Sequence, residues 1–113
     1  MSLIEQPGLS APSKARVMFE RSELDRILAL YGRQVAAGEW RDYALDCEEN
    51  SVSFCIYRRA SEKPLFRIEK TPELARRQGA FCLYGQQGQA LKRGHSLESV
   101  LNVFDSRRFK VVE

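Results

Sequence analysis

Histidine is almost missing from this chain: His95 is the only one in 113 residues. A Ser-His-Asp or Cys-His nucleophile would have to be built on that single side chain, which stands in "RGHS" just ahead of a helix start. Cysteine is scarce and odd in number, and Cys47, Cys55 and Cys82 form no C-x-x-C pair. That argues against a secreted disulfide scaffold and for reduced, cytoplasmic thiols. A structural zinc site needs about four closely spaced Cys or His ligands, which these residues do not supply. No apolar run reaches 18 residues, so neither a spanning helix nor a signal peptide is expected, and no membrane partner. There is no G-x-x-x-x-G-K-[ST] phosphate loop. "GQQG" shares four letters with the GXXG loop of KH domains, but it falls between two strand-like segments and reads as a hairpin turn. No cofactor and no metal is expected.

What is present fits one domain. The length, 43% hydrophobic content and 29% charged content are ordinary for a globular chain. Residues 1–13 carry Pro7, Gly8, Ser10, Pro12 and Ser13 and read as a flexible leader, with a single domain over 14–113. A net charge of +3 is too small to imply nucleic acid by itself. Its distribution is more telling. Glu39 to Asn50 holds five acids against one base, whereas Tyr57 to Arg77 holds seven bases against three acids. Thirteen of the 18 basic residues are arginine, whose planar fork suits carboxylate and phosphate. The simplest use of the two stretches is pairing across a sheet.

Periodicity predicts the elements. Leu24, Ile27, Leu28, Tyr31 and Val35 recur at helical spacing, with Ser22 as N-cap and Gly38 as the left-handed stop. Gly32 inside that helix suggests close packing against another backbone. Strands are predicted over 42–47, 52–59 and 65–70, followed by a short helix in "TPELARRQ". A hairpin over 80–84 and 89–93, a helix capped by Ser96 with Leu97, Val100, Leu101 and Phe104 on one face, and a last strand in "RFKVV" complete the chain. The fold class is therefore α+β: a central antiparallel sheet of about four to six strands with two main helices packed on it.

Trp40 poses a problem within this scheme. Alternation puts Tyr43, Leu45 and Cys47 on one side and Trp40, Asp42, Ala44 and Asp46 on the other. The second side also collects Cys55, Tyr57 and Leu65, so one helix on each face would bury both, with Trp40 as a wedge where helix meets sheet. The competing placement leaves that side open, with Trp40 and Tyr57 as aromatic anchors among arginines.

The basic set Arg58, Arg59, Lys63, Arg67, Lys70, Arg76 and Arg77, with Lys92 and Arg93, is the best functional lead. The candidate binding surface is Trp40, Tyr57, Arg58, Arg59, Arg67, Arg76 and Arg77. Three readings follow. One is a non-catalytic binding or regulatory module for a protein partner or a homo-oligomer. Another is a nucleic-acid binder that uses the same arginines on phosphate. The last is a small enzyme that uses His95 or the acids Glu39, Asp42, Asp46, Glu48 and Glu49, which could in principle hold Mg²⁺.

Three runs carry a resemblance: "YGRQVAAGEWRDYALD", "YRRASEKPLFRIEKTPELARRQGAF" and "LKRGHSLESVL". The chain from about residue 17 onward resembles a family of short bacterial proteins of unknown function. The resemblance implies a stand-alone domain and brings no known activity, cofactor or catalytic residue, so no site residue is carried over from it.

Overall fold

The computed structural model describes residues 16–59 and 63–105. The expected leader and the strand expected in "RFKVV" lie outside the described residues. Within them the chain runs α1 (Arg21–Ala36), β1 (Asp42–Cys47), β2 (Val52–Tyr57), β3 (Phe66–Lys70), β4 (Phe81–Tyr84), β5 (Ala90–Gly94) and α2 (Leu97–Leu101). The five strands form one antiparallel sheet in the order β1-β2-β3-β4-β5, a meander.

Helix α1 starts earlier than Ser22. Glu20 is extended and acts as N-cap, and the Glu23 carboxylate accepts the Glu20 N–H at 2.7 Å, satisfying a backbone donor that the helix cannot use. The far end stops as expected. Gly38 adopts φ 81°, its N–H bonds the Val35 carbonyl, and the Glu39 N–H bonds the Gln34 carbonyl, both at 2.9 Å. This is a Schellman motif, which closes the last turn and reverses the chain toward the sheet. Ile27 and Leu30 are buried, and Leu24, Leu28 and Tyr31 pack beside them. Val35, one turn past Tyr31, is exposed.

The strands begin close to their predicted starts, but β2 ends at Tyr57, so Arg58 and Arg59 leave it. The "TPELARRQ" segment makes only a single 3-10 turn, Pro72–Leu74. Beyond Leu74 its only apolar side chain is the small, exposed Ala75, so a longer helix would gain little from packing. Ser96 caps α2 as expected, its Oγ accepting the Ser99 N–H at 3.2 Å, and the chain continues as a 3-10 turn over Asn102–Asp105.

Both helices lie on one face of the sheet, contrary to the expectation of one per face. The register explains it. Phe54, Ile56, Ile68, Phe81 and Leu83 are all on that face and all buried. Among the described residues the opposite face has only Ser53, Cys55 and Cys82 as buried side chains, too small to hold a helix. Leu97, Val100 and Phe104 of the second helical segment join the same core as Ile27 and Leu30.

Trp40 is also in that core, 6% exposed. Its ring lies 5.2 Å from Phe104, 6.0 Å from Phe66 and 6.3 Å from Tyr31, centroid to centroid. The expected opposition to Tyr43 and Leu45 fails because strand alternation starts only at Asp42. Trp40 belongs to the turn before the strand, where the Schellman reversal sets its direction. Leu65 is displaced likewise: it precedes β3 and packs on the same core.

Two glycines separate sharply. An added Cβ on Gly32 would meet nothing within 4 Å, so close backbone packing does not explain it. Gly79 sits at φ 104°, where a Cβ would collide with the Gly94 carbonyl. Gly32→Ala is expected to stabilise the fold by about 0.5–1 kcal/mol. Gly79→Ala is expected to destabilise it by about 2 kcal/mol or more. Urea denaturation followed by circular dichroism reads both.

Candidate functional site

The face turned away from the helices carries the chemistry. Two cross-strand rows run over it: Asp46, Ser53, Glu69, Cys82 and Arg93, then Ala44, Cys55, Arg67 and Tyr84. Small side chains form the floor and long ones lie across them. The Arg67 guanidinium carbon sits 4.2 Å from the centre of the Tyr84 ring, a cation–π contact. One nitrogen of the same guanidinium donates to Glu69 at 3.0 Å and to Ser53 Oγ at 3.3 Å. Arg93 closes the network, donating to the Tyr84 hydroxyl at 3.1 Å and to the Gly79 carbonyl at 3.4 Å.

Two groups on this face, Tyr84 and Cys55, are shifted upward, in both cases chiefly by burial. Burial pushes the Tyr84 phenol above its ordinary pKa, helped by the Cys82 thiol and the Glu69 charge and opposed by Arg93. Burial likewise raises the Cys55 thiol, with Arg67 lowering it and Asp46 raising it. The face thus holds the Arg67–Glu69 ion pair and an Arg93 bound to a hydroxyl and a carbonyl, above two buried cysteines.

The residues proposed for a single surface are dispersed. Tyr57 and Arg67 lie on the open face by strand register. Arg58 and Arg59 leave β2 at one end of the sheet, and Arg58 pairs with Glu39 at 3.6 Å, both side chains largely exposed. Arg76 and Arg77 are exposed in the β3–β4 connection at the other end. The five residues of β3 separate the two pairs by about 13 Å of strand. Trp40 is excluded from any surface by its burial. Lys70 points to the helix side and holds Glu23 at 2.8 Å. Arg93 belongs to the basic set read from the sequence, but Tyr84 does not, and their contact, nine positions apart across a turn, is visible only once register is known.

His95 is exposed, with Nδ1 3.1 Å from the Ala75 carbonyl. The acids of 39–49 lie on and beside β1, which is an outer strand of the sheet among the described residues. Among the described residues no group of three or more His, Cys, Asp or Glu side chains is placed to hold a metal ion. Among them, too, no helix is long and apolar enough to cross a membrane.

The fold and this surface define an α+β domain: a five-stranded antiparallel meander with helices on one side and a charged, aromatic second side. The family described as Protein of unknown function (DUF2794) matches residues 17–101, and the chain belongs to it. No curated protein and no solved structure matches the chain.

The three thiols differ in access. Cys55 and Cys82 are buried, while Cys47 is half-exposed, its Sγ 3.7 Å from the Met18 sulfur. Iodoacetamide is expected to modify Cys47 in the native protein at least about tenfold faster than Cys55 or Cys82, since reaction needs an accessible thiolate. Peptide mass spectrometry over time gives the three rates.

Proposed function

We propose that this chain is a non-catalytic binding or regulatory module whose macromolecular partner docks on the helix-free face of the sheet. The observation that carries this reading is the surface of Tyr57, Arg67, Tyr84 and Arg93 on a sheet face that the described helices leave uncovered. Tyrosine and arginine are the side chains that most often anchor interfaces. Here their geometry is set before binding: Arg67 is held by Tyr84, Glu69 and Ser53, and Arg93 by Tyr84. Preorganised side chains lose little entropy when a partner arrives. A protein partner with both charged and apolar groups suits a face that alternates acid, base and ring.

Nucleic-acid binding is the competing reading, favoured by the interleaved arginines and tyrosines. The pairings weigh against it. Arg67 and Arg58 already meet carboxylates, and the exposed arginine pairs sit at opposite ends of the sheet. A phosphate backbone is better served by uncommitted cations along one track.

Fluorescence anisotropy with labelled mixed-sequence DNA and RNA across a salt series separates the two. No saturable binding is expected even at low salt. In parallel, proteins retained by the immobilised wild-type chain are compared with those retained by Tyr57→Ala/Arg67→Ala, after circular dichroism confirms its fold. Specific partners are expected to fall at least about tenfold in the variant. Nucleic-acid binding with a log–log salt slope of about −3 or steeper would replace this reading with its rival. Equal retention by both chains would remove the open face as the docking surface.

A further inference from the structure

The two outer strands of the sheet are not alike. Strand β5 is protected: its pairing with β4 is irregular at Leu83 and Tyr84, and Lys92 stands on it. Bulges and edge lysines are the usual devices that keep a sheet edge from capturing another strand. Strand β1 lacks them. It has no lysine or proline, and all six of its residues pair in unbroken register with β2. Asp42 to Asp46 are exposed, and its outer edge faces no other strand among the described residues.

The side chains along this edge are sorted by face. On the helix side Tyr43 is 46% exposed and Leu45 is 42% exposed. Met18, at 54%, extends the same apolar strip past Cys47. On the other side Asp42 and Asp46 flank Ala44, and Glu48 follows beyond the strand end. An added strand would therefore meet apolar groups with one set of alternate side chains and carboxylates with the other.

We propose that the free edge of β1 is a docking site for an extended peptide segment of a partner protein, one that alternates basic and apolar residues and adds to the sheet as a sixth strand. The proposal rests on the binding-module reading but uses a different surface. Backbone hydrogen bonds to the edge supply affinity, and the two faces supply specificity. Basic side chains of the segment lie against Asp42 and Asp46, and apolar ones against Tyr43 and Leu45. The charges also disfavour a second copy of β1 as the occupant. Antiparallel self-pairing with both copies' helices on one side requires residues of like face to oppose each other. The register centred on Ala44 sets Asp42 against Asp46 twice, and the one centred on Leu45 sets Asp42 against Glu48 twice. Like charges directly opposite destabilise a strand pair. The irregular register of β5 and its Lys92 likewise disfavour the β5 edge of a second copy.

The test is a titration of the ¹⁵N-labelled full chain with a synthetic eight-residue peptide alternating Arg or Lys with Val or Phe. Two control peptides accompany it: one with Glu and Asp for the basic residues, and one N-methylated at alternate positions. Saturable binding is expected, with amide shifts concentrated in residues 42–47. It is expected to weaken at least about tenfold with the acidic peptide, with the N-methylated peptide and with Asp42→Lys/Asp46→Lys. Leu45→Ser provides a second variant should the double one misfold, and it is expected to weaken binding severalfold. Equal binding of the N-methylated peptide would reduce the contact to loose charge attraction and overturn strand addition. Shifts confined to Tyr57, Arg67 and Tyr84 would also overturn it while leaving the open-face reading intact. Slow hydrogen exchange throughout 42–47 before any peptide is added would mean that the edge is already covered. Light scattering would then tell a second copy from another part of the same chain, and either occupant would overturn the partner assignment.

Discussion

Six aromatic rings tie this domain together. Tyr43 stacks on Phe54 at 4.7 Å, and both meet Tyr31 of α1 edge-on. Trp40 lies beside Tyr31 and, on its other side, against Phe66 and Phe104. The chain of contacts thus runs from the edge strand through the first helix to the turn after the last one. Tyr31 also fixes the turn itself, its hydroxyl donating to the Arg41 carbonyl at 2.6 Å. Aromatic pairs favour such tilted and edge-to-face arrangements and add to the burial of their areas. With both helices committed to this cluster, no described helix is left for the second face.

That one-sidedness shapes everything proposed about function. An antiparallel sheet tolerates one wet face, provided that the face is polar or internally satisfied. Here Arg67 and Arg93 provide the satisfaction, bridging Tyr84, Glu69, Ser53 and Gly79. The buried thiols beneath them are part of the floor, and burial pushes the Cys55 thiol up from its ordinary pKa. The surface is therefore mixed in charge, with both arginines held by neighbours on the sheet.

Much of the architecture was legible because local signals and tertiary needs agree. The helix stop at Gly38, the Ser96 cap, the hairpin at "GQQG" and the five strand segments are all marked by short-range chemistry. The side on which each element lands was less legible. Trp40 and Leu65 sit just outside strands, where alternation no longer applies, so strand period places both on the wrong side of the sheet. Glu20 displaced Ser22 as the cap because a carboxylate three residues on could reach back. Arg58, Arg59, Arg76 and Arg77 form a basic cluster in sequence but flank the sheet from opposite ends. Linear charge density does not show distance across strands. Tyr84 and Arg93 emerged as members of the network only through register.

The meander order has a bearing on how the chain reaches this structure. Each strand pairs only with its neighbours in sequence, and the longest connection between paired strands is residues 71–80. Loops of that length close with a modest entropic cost. The sheet can grow one hairpin at a time from contacts that are local along the chain, a topology associated with rapid folding. The contact of Trp40 with Phe104, and the core that Ile27 and Leu30 share with Val100, join distant parts of the described sequence. Docking of the helices through the aromatic junction is therefore a separate demand from pairing of the strands, which is met by contacts close in sequence.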